Sequence, residues 1–372
     1  MNRRYILASA AAASISLAGC SGSAPDESTS PNGSGDGSNT EEDEDGSETQ
    51  SEESEDSTPS LGEFAYPTGT DRSGVDAGEL FNTHESTLVD AGSLTLDQER
   101  VDIFDGNEFS RTLTNEFEAN NISVGLTEDG ETEQFWSPAD EDVAYVRLES
   151  GFDQAYRVDE RAPPAAEVTG LNEFNRYLTE VEWGEATEVV EVADGYGVTY
   201  ESVGYSDRLS FGEMEEFDAA ITVSESGYVS DLEYAQTEDR NGDTVEIDAE
   251  SAVMAVGETT VEEPDWAETA REEGVRFDVT FTDDGTAFRL ELTNGDEVST
   301  EARVRLRDGR GSASRNLSQA LSVGDVLFVG LSETGDLVTD SDGAPEGARG
   351  LTGDIRLTVR TMFPLLTHTR RP

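Results

Sequence analysis

The sequence predicts a mainly β chain of the α+β class, folded as two successive domains. Three observations carry that expectation. Apolar and polar residues alternate along most of the chain after residue 93, as they do in half-buried strands. Two stretches instead repeat apolar residues at the three- and four-residue spacing of an amphipathic helix. Finally, the charge balance steps sharply. Residues 61–274 hold 54 acidic and 10 basic residues, whereas 275–372 hold 15 and 12. The step follows Pro264-Asp265-Trp266 and the polar run Glu268 to Gly274, so the domains are taken as 61–274 and 275–372.

In the first domain, Ala77, Leu80, Phe81, His84 and Leu88 mark the first helix, with Asp76 as N-cap and Gly92 beyond its end. Leu171, Phe174, Tyr177, Leu178 and Val181 mark the second. Strands are expected around 94–103, 109–118, 122–127, 143–149 and 153–158, before the breaker Pro163-Pro164. Others are expected at 189–200, 219–223, 229–236 and 245–254. Asp129-Gly130, Ser226-Gly227 and Asn241-Gly242 separate them as turns, the last a strong hairpin signal.

One helix, a strand meander, a second helix and more strands make an order that resembles the LolA-type fold, also found in mycobacterial lipid-carrying lipoproteins. Ala65-Tyr66-Pro67-Thr68-Gly69 and Val261-Glu262-Glu263-Pro264-Asp265-Trp266-Ala267 add a closer similarity, to an uncharacterised family of haloarchaeal lipoproteins. It covers roughly residues 62–270. The resemblance implies a curved antiparallel half-barrel whose concave face is capped by helices. It also implies an apolar cavity, for which Leu80, Phe81, Phe174 and Leu178 are the candidate lid. An amphipathic stripe is equally satisfied by filling a core, so both outcomes stand open.

Residues 275–372 predict a small β-sandwich of immunoglobulin-like architecture with six or seven short strands. Val275, Phe277, Val279 and Phe281 begin it. Phe288, Leu290 and Leu292 follow the turn Asp283-Asp284-Gly285, and Ala302, Val304 and Leu306, Val323 to Leu331, and Ile355, Leu357 and Val359 continue it. The Cys–Trp–Cys framework of antibody domains is missing. Arg303, Arg305 and Arg307 alternate with inward apolar residues, as do Arg356 and Arg360. If the two strands are neighbours, their outer face is a basic patch. It is either a solvated face or a docking surface for the acidic first domain or an acidic envelope partner. His368 is read as part of the terminal tail.

The chain opens with Arg3-Arg4 and an uncharged stretch to Gly19, too short to span a bilayer core of ~30 Å as a helix. This is the pattern of a signal peptide, and the arginine pair points to the twin-arginine route. Leu17-Ala18-Gly19-Cys20 resembles a lipobox. It implies cleavage after residue 19 and a lipid on Cys20, the only cysteine in the chain. Residues 21–60 hold thirteen acidic and no basic residues among Ser, Gly, Thr and Pro. Such a segment buries too little apolar surface to offset ordering entropy and is expected to be a disordered tether. The predicted location is the outer face of the cell membrane.

The formal charge is −58, and every one of the 24 basic residues is arginine. Self-repulsion of that size strains a compact fold unless salt screens it, and in molar salt the Debye length falls to ~3 Å. Lysine-free acidity of this kind resembles the proteins of extreme halophiles. It argues against nucleic-acid binding, which needs a positive footprint. No metalloprotease, P-loop, dinucleotide or nucleophile-elbow motif occurs, and no cofactor is expected. Asp239-Arg240-Asn241-Gly242-Asp243 lacks the spacing and distal Glu of a calcium loop and reads as a hairpin turn. Asn32, Asn121 and Asn316 lie in N-x-S/T sequons. The expectation is a non-enzymatic surface lipoprotein that binds or carries a lipid or other apolar ligand; the alternative is a ligand-free envelope interaction or display protein.

Overall fold

In the computed structural model, which describes residues 58–159, 171–210 and 212–370, eleven antiparallel strands form one continuous sheet. A short ribbon of β1 (Thr70–Asp71) and β2 (Gly74–Val75) leads into α1 (Ala77–Ala91). The meander β3 (Ser93–Phe104), β4 (Asn107–Glu118), β5 (Asn121–Glu128), β6 (Glu131–Ser137), β7 (Ala144–Ser150) and β8 (Asp153–Asp159) follows. After α2 (Leu171–Glu180) come β9 (Val181–Val192), β10 (Gly195–Tyr205), β11 (Glu213–Ser224), β12 (Val229–Arg240) and β13 (Asp243–Met254). The order across the sheet is β8-β7-β6-β5-β4-β3-β13-β12-β11-β10-β9. Two meanders are thus joined at their middle by the β3–β13 pair, and each leads outward to an edge.

Local chemistry explains the boundaries. The Asp76 side chain accepts the Glu79 N–H at 3.0 Å, satisfying an otherwise orphaned donor of the first turn. Gly92 ends α1 in the left-handed region at φ 74°. Asp129-Gly130 and Asn241-Gly242 both take positive φ at two successive residues, the twist that two-residue hairpins require. The Asp239 carboxylate accepts the Gly242 N–H at 2.7 Å, so residues 239–243 are a hairpin turn.

Several sequence expectations are corrected. The stripe ending in Val181 is not helical throughout: α2 stops at Glu180, and Val181 opens β9, where β-branched Val and alternately buried Val181 and Trp183 favour extension. Residues 189–200 span two strands, folded back between Val192 and Gly195. β6 was not expected, because its apolar residues, Phe135 and Trp136, are adjacent rather than alternating.

After α3 (Ala267–Glu273) the chain enters two four-stranded sheets. One runs in the order β14 (Arg276–Phe281), β15 (Ala287–Asn294), β18 (Val326–Leu331), β19 (Leu337–Asp340). The other runs β17 (Gly311–Asn316), β16 (Arg303–Asp308), β20 (Ile355–Arg360), β21 (Pro364–Arg370). Phe288, Leu290 and Val329 of the first sheet and Val304, Leu306 and Leu357 of the second are buried in one shared core. Among the described residues the strands number eight, not six or seven. β17 presents only Ala313 to that core as an apolar residue, and β21 carries its apolar pair Leu365-Leu366 side by side, so neither shows clear alternation. His368 accordingly lies in a strand rather than a tail, its ring edge-on to Phe288 at 5.5 Å.

The charge step falls between α3 and β14. There the Val158 N–H donates to the Val275 carbonyl and the Val275 N–H to the Tyr156 carbonyl, both at 3.0 Å. The Arg157 guanidinium reaches the Pro364 carbonyl at 3.0 Å. Edge strand β8 is thereby tied to the start of the second sheet system, and the described residues form one compact unit.

Candidate functional site

Two places merit scrutiny: the layer between the helices and the wide sheet, and the outer face of β16 and β20. In the first, Leu80, Leu88, Phe174, Tyr177 and Leu178 pack with residues of β3, β9, β10, β11, β12 and β13 into one core. Leu80, Phe174 and Leu178 are at most 1% exposed, and Phe81 packs half-buried against the same cluster. Three of the four candidate lid residues thus lie in one buried cluster, with Phe81 packed against it. Phe174 lies 5.1 Å from the His84 ring, and Tyr177 stacks on Tyr234 at 4.2 Å.

His84 is the most constrained polar group there. Its Nδ1 accepts the Val229 N–H at 3.0 Å, which ties α1 to the start of β12. Burial pushes its pKa down to about 4, because a charged imidazole would be stripped of water. It is therefore neutral at pH 7, with the proton on Nε2. His84 Nε2, Trp183 Nε1 and Gln236 Oε1 are buried without a hydrogen-bond partner among the described residues. Gly227, at φ 95°, lets the β11–β12 turn lie on α1; a Cβ there would sit 2.7 Å from Thr83 Cγ2.

The second place is basic. Arg303, Arg305 and Arg307 on β16 are exposed, while Val304 and Leu306 between them are buried. On β20, Arg356 and Arg360 are exposed, while Ile355, Leu357 and Val359 are buried. The strands are direct neighbours, with Arg303 opposite Arg360 and Arg307 opposite Arg356. Arg305 faces Thr358. Like charges in directly opposed positions destabilise a strand pair, so packing within the sheet does not explain this arrangement. Arg303 donates to Ser314 Oγ at 2.9 Å and 2.6 Å, Arg305 to Ser312 Oγ at 3.4 Å, and Arg360 to the Met362 carbonyl at 3.2 Å. None of the five forms an ion pair among the described residues. The five guanidinium groups line a shallow recess of about 800 Å³, flanked by hydroxyls and lined by no acidic residue.

The inward face of β16 ends in a buried ion pair that sequence reading missed. Arg349 donates to Asp308 Oδ2 at 2.6 Å and Oδ1 at 3.1 Å, with side chains 5% and 0% exposed. Asp308 also accepts the backbone N–H groups of Arg310, Gly311 and Thr352. The Arg349 guanidinium and the N–H groups of Arg310 and Thr352 lower its pKa to about 2. Asp308 continues the alternation of β16, so its inward direction was readable; its partner, 41 residues away, was not.

Of the remaining candidates, Asn316 is exposed at the end of β17. Asn121 opens β5 half-buried, its Oδ1 accepting the Ala139 N–H at 2.8 Å. Arg3, Arg4, Leu17, Ala18, Gly19, Cys20 and Asn32 lie outside the described residues. Among the described residues, no helix is long and apolar enough to cross a membrane, and no cluster of three or more His, Cys, Asp and Glu is arranged to hold a metal.

The sequence model of a family of unknown function, DUF7537, matches residues 6–270. The chain belongs to that family. The match ends within α3, so the sandwich with its arginine face lies beyond it. No curated protein matches the sequence. Among solved structures, the chain is similar to MucB in complex with MucA(peri), at 11% identity and TM-score 0.23 over 77% of this chain and 88% of that one. It is similar to the Pseudomonas aeruginosa MucA/MucB complex at 12% identity and TM-score 0.24, over 71% and 92%. A LolA superfamily protein from Nitrosomonas europaea matches at 12% identity and TM-score 0.20, over 51% and 95%. Scores this low carry no argument about function.

Proposed function

We propose that the chain is a non-enzymatic, lipid-anchored envelope protein that works by binding, and that its binding surface is the arginine face of the sandwich. The observation that supports this is the opposed pairing of exposed arginines on β16 and β20, which the sheet does not need for its own packing. In a chain of net charge −58, a recess lined by five arginines and no acid is a local inversion of sign, suited to an anionic partner. Cys20 supplies the anchor in this reading, and the acidic residues 21–60 supply the reach. Changing Cys20 to Ser should move the protein from the membrane to the soluble fraction of the envelope; full retention in the membrane contradicts the anchor. Changing Arg303, Arg305 and Arg307 to Ser should abolish binding of anionic partners; unchanged binding contradicts the assigned surface.

The finer architecture supports a scaffold for such a surface. Pairing of β16 with β20 and of β20 with β21 follows the C–F–G order of immunoglobulin sheets, and β14-β15-β18 follows A–B–E. In the other domain, the helix-covered sheet fits the half-barrel implied by the LolA resemblance.

A second reading keeps that half-barrel as a lipid site. It is favoured by the unpartnered polar atoms of His84, Trp183 and Gln236 within the helix–sheet layer, since buried polar groups ordinarily have partners. It requires the layer to open, because Leu80, Phe174 and Leu178 are buried in it. Native mass spectrometry of protein purified in high salt decides: a co-purifying lipid favours this reading, and its reproducible absence ends it.

A further inference from the structure

We infer that the arginine face binds an extended acidic polypeptide segment, one whose Asp or Glu side chains alternate with small neutral ones, resting on the reading that this face is the binding surface. Three features favour a polypeptide over other anions. The first is spacing. Arg303, Arg305 and Arg307 project from alternate positions of one strand, so their Cα atoms repeat at ~6.8 Å. An extended peptide laid along β16 repeats its alternate side chains at the same ~6.8 Å, which sets three carboxylates over three guanidinium groups in register. Arg356 and Arg360 flank that line from the neighbouring strand, with Thr358 between them opposite Arg305.

The second feature is size. The arginines line a recess of about 800 Å³, larger than a single oxyanion needs. A free phosphate contacts one or two guanidinium groups and leaves the rest of the row unused. The third feature is the flanking chemistry. Ser312 and Ser314 on β17 and Thr367 on β21 border the arginines with hydroxyls, which hydrogen-bond the peptide groups of a bound chain as readily as its side chains. Arginine as such carries no preference here, because the chain contains no lysine. The period of the row carries it. Charge-assisted, fork-like contacts to carboxylates then supply the affinity.

The test is fluorescence anisotropy with the full folded chain and a labelled peptide of alternating Glu and Ser, at a salt concentration where the protein is folded. A second peptide carries the same residues with all Glu in one block. Phosphatidylglycerol vesicles and inorganic phosphate serve as competitors. The alternating peptide should bind more tightly than the block peptide. It should lose at least about tenfold in affinity in the triple variant Arg303→Ser, Arg305→Ser, Arg307→Ser, and lose affinity also in Arg356→Ser/Arg360→Ser. Both losses should occur with an unchanged circular dichroism spectrum, since these side chains are exposed. Equal binding of the two peptides, or displacement by vesicles or phosphate at matched charge, overturns the polypeptide assignment while leaving the face as an anion site. Failure of every anion to bind overturns the proposed function as well.

Discussion

The wide sheet and the sandwich handle arginine in opposite ways. In residues 61–274, arginine is scarce and mostly spent on neighbours: Arg100 pairs with Asp102, Arg147 with Glu149, Arg157 with Glu133 and Asp159, and Arg240 with Glu238. Arg271 pairs with Glu141 and Glu263 and lies over the Trp136 and Tyr145 rings. These pairs answer the surrounding negative charge locally. In the sandwich, Arg349 is buried on Asp308 and Arg289 pairs with Glu291, but the five arginines of β16 and β20 face outward, four of them in directly opposed pairs. A residue type that is mostly paired in one region is left without ion pairs on one face of the other. The difference separates arginines that hold the fold from arginines kept available for something outside it.

If that separation is right, substitutions on the two sides should differ in kind. The largest loss should come from Asp308→Ala, which leaves Arg349 charged and buried without its partner: about 3–5 kcal/mol of stability in chemical denaturation. A loss under about 1 kcal/mol would mean that the pair holds nothing in place. The same carboxylate makes the sandwich acid-sensitive. Its pKa falls from about 3.9 unfolded to about 2 folded, so its contribution is complete above pH ~4 and lost as the pH drops through 2.

Next in size, Leu80→Ala should cost about 2–5 kcal/mol if the helix–sheet layer is a filled core. A small loss, or a gain in bound lipid, would favour the lipid reading instead. His84 should then make stability depend on pH in a different window. Its folded pKa of about 4 lies below an unfolded value of about 6.5, so the unfolded chain takes up the proton first. Stability is therefore complete above pH ~6.5 and declines by roughly 3 kcal/mol as the pH falls toward 4. Replacing His84 with Gln should flatten that decline, measured as unfolding midpoints across the range; an undiminished slope would place its origin elsewhere.

The smallest effect on stability should come from the arginine face. Arg303→Ser with Arg307→Ser removes one member of each opposed pair and should leave stability unchanged or raise it by up to about 1 kcal/mol. A clear loss would make these arginines structural and erase the contrast with the wide sheet.

Much of this architecture was readable where local chemistry acts alone. Asp76 and Gly92 bound α1 because capping needs only nearby atoms, and the Asp-Gly and Asn-Gly turns fold hairpins through their own backbone preference. The arginine rows were readable because alternation fixes sidedness. Their adjacency was not, since the β16–β20 pairing joins residues about fifty apart and leaves no local trace. Val181 shows the limit in miniature: three residues after Leu178 it continues a helical stripe, yet tertiary packing claims it for β9. β17 and β21 escaped notice because edge strands bury few large apolar residues, and they supply the hydroxyl borders of the recess.

The contrast between the two regions is most directly tested by hydrogen exchange of the full chain with and without saturating Glu-Ser peptide. If the unneutralised arginines are the binding surface, added protection should appear in 303–308 and 355–360 and their flanking strands, with residues 93–254 unchanged. Protection centred on 93–254, or none anywhere under conditions where the peptide binds, would contradict it.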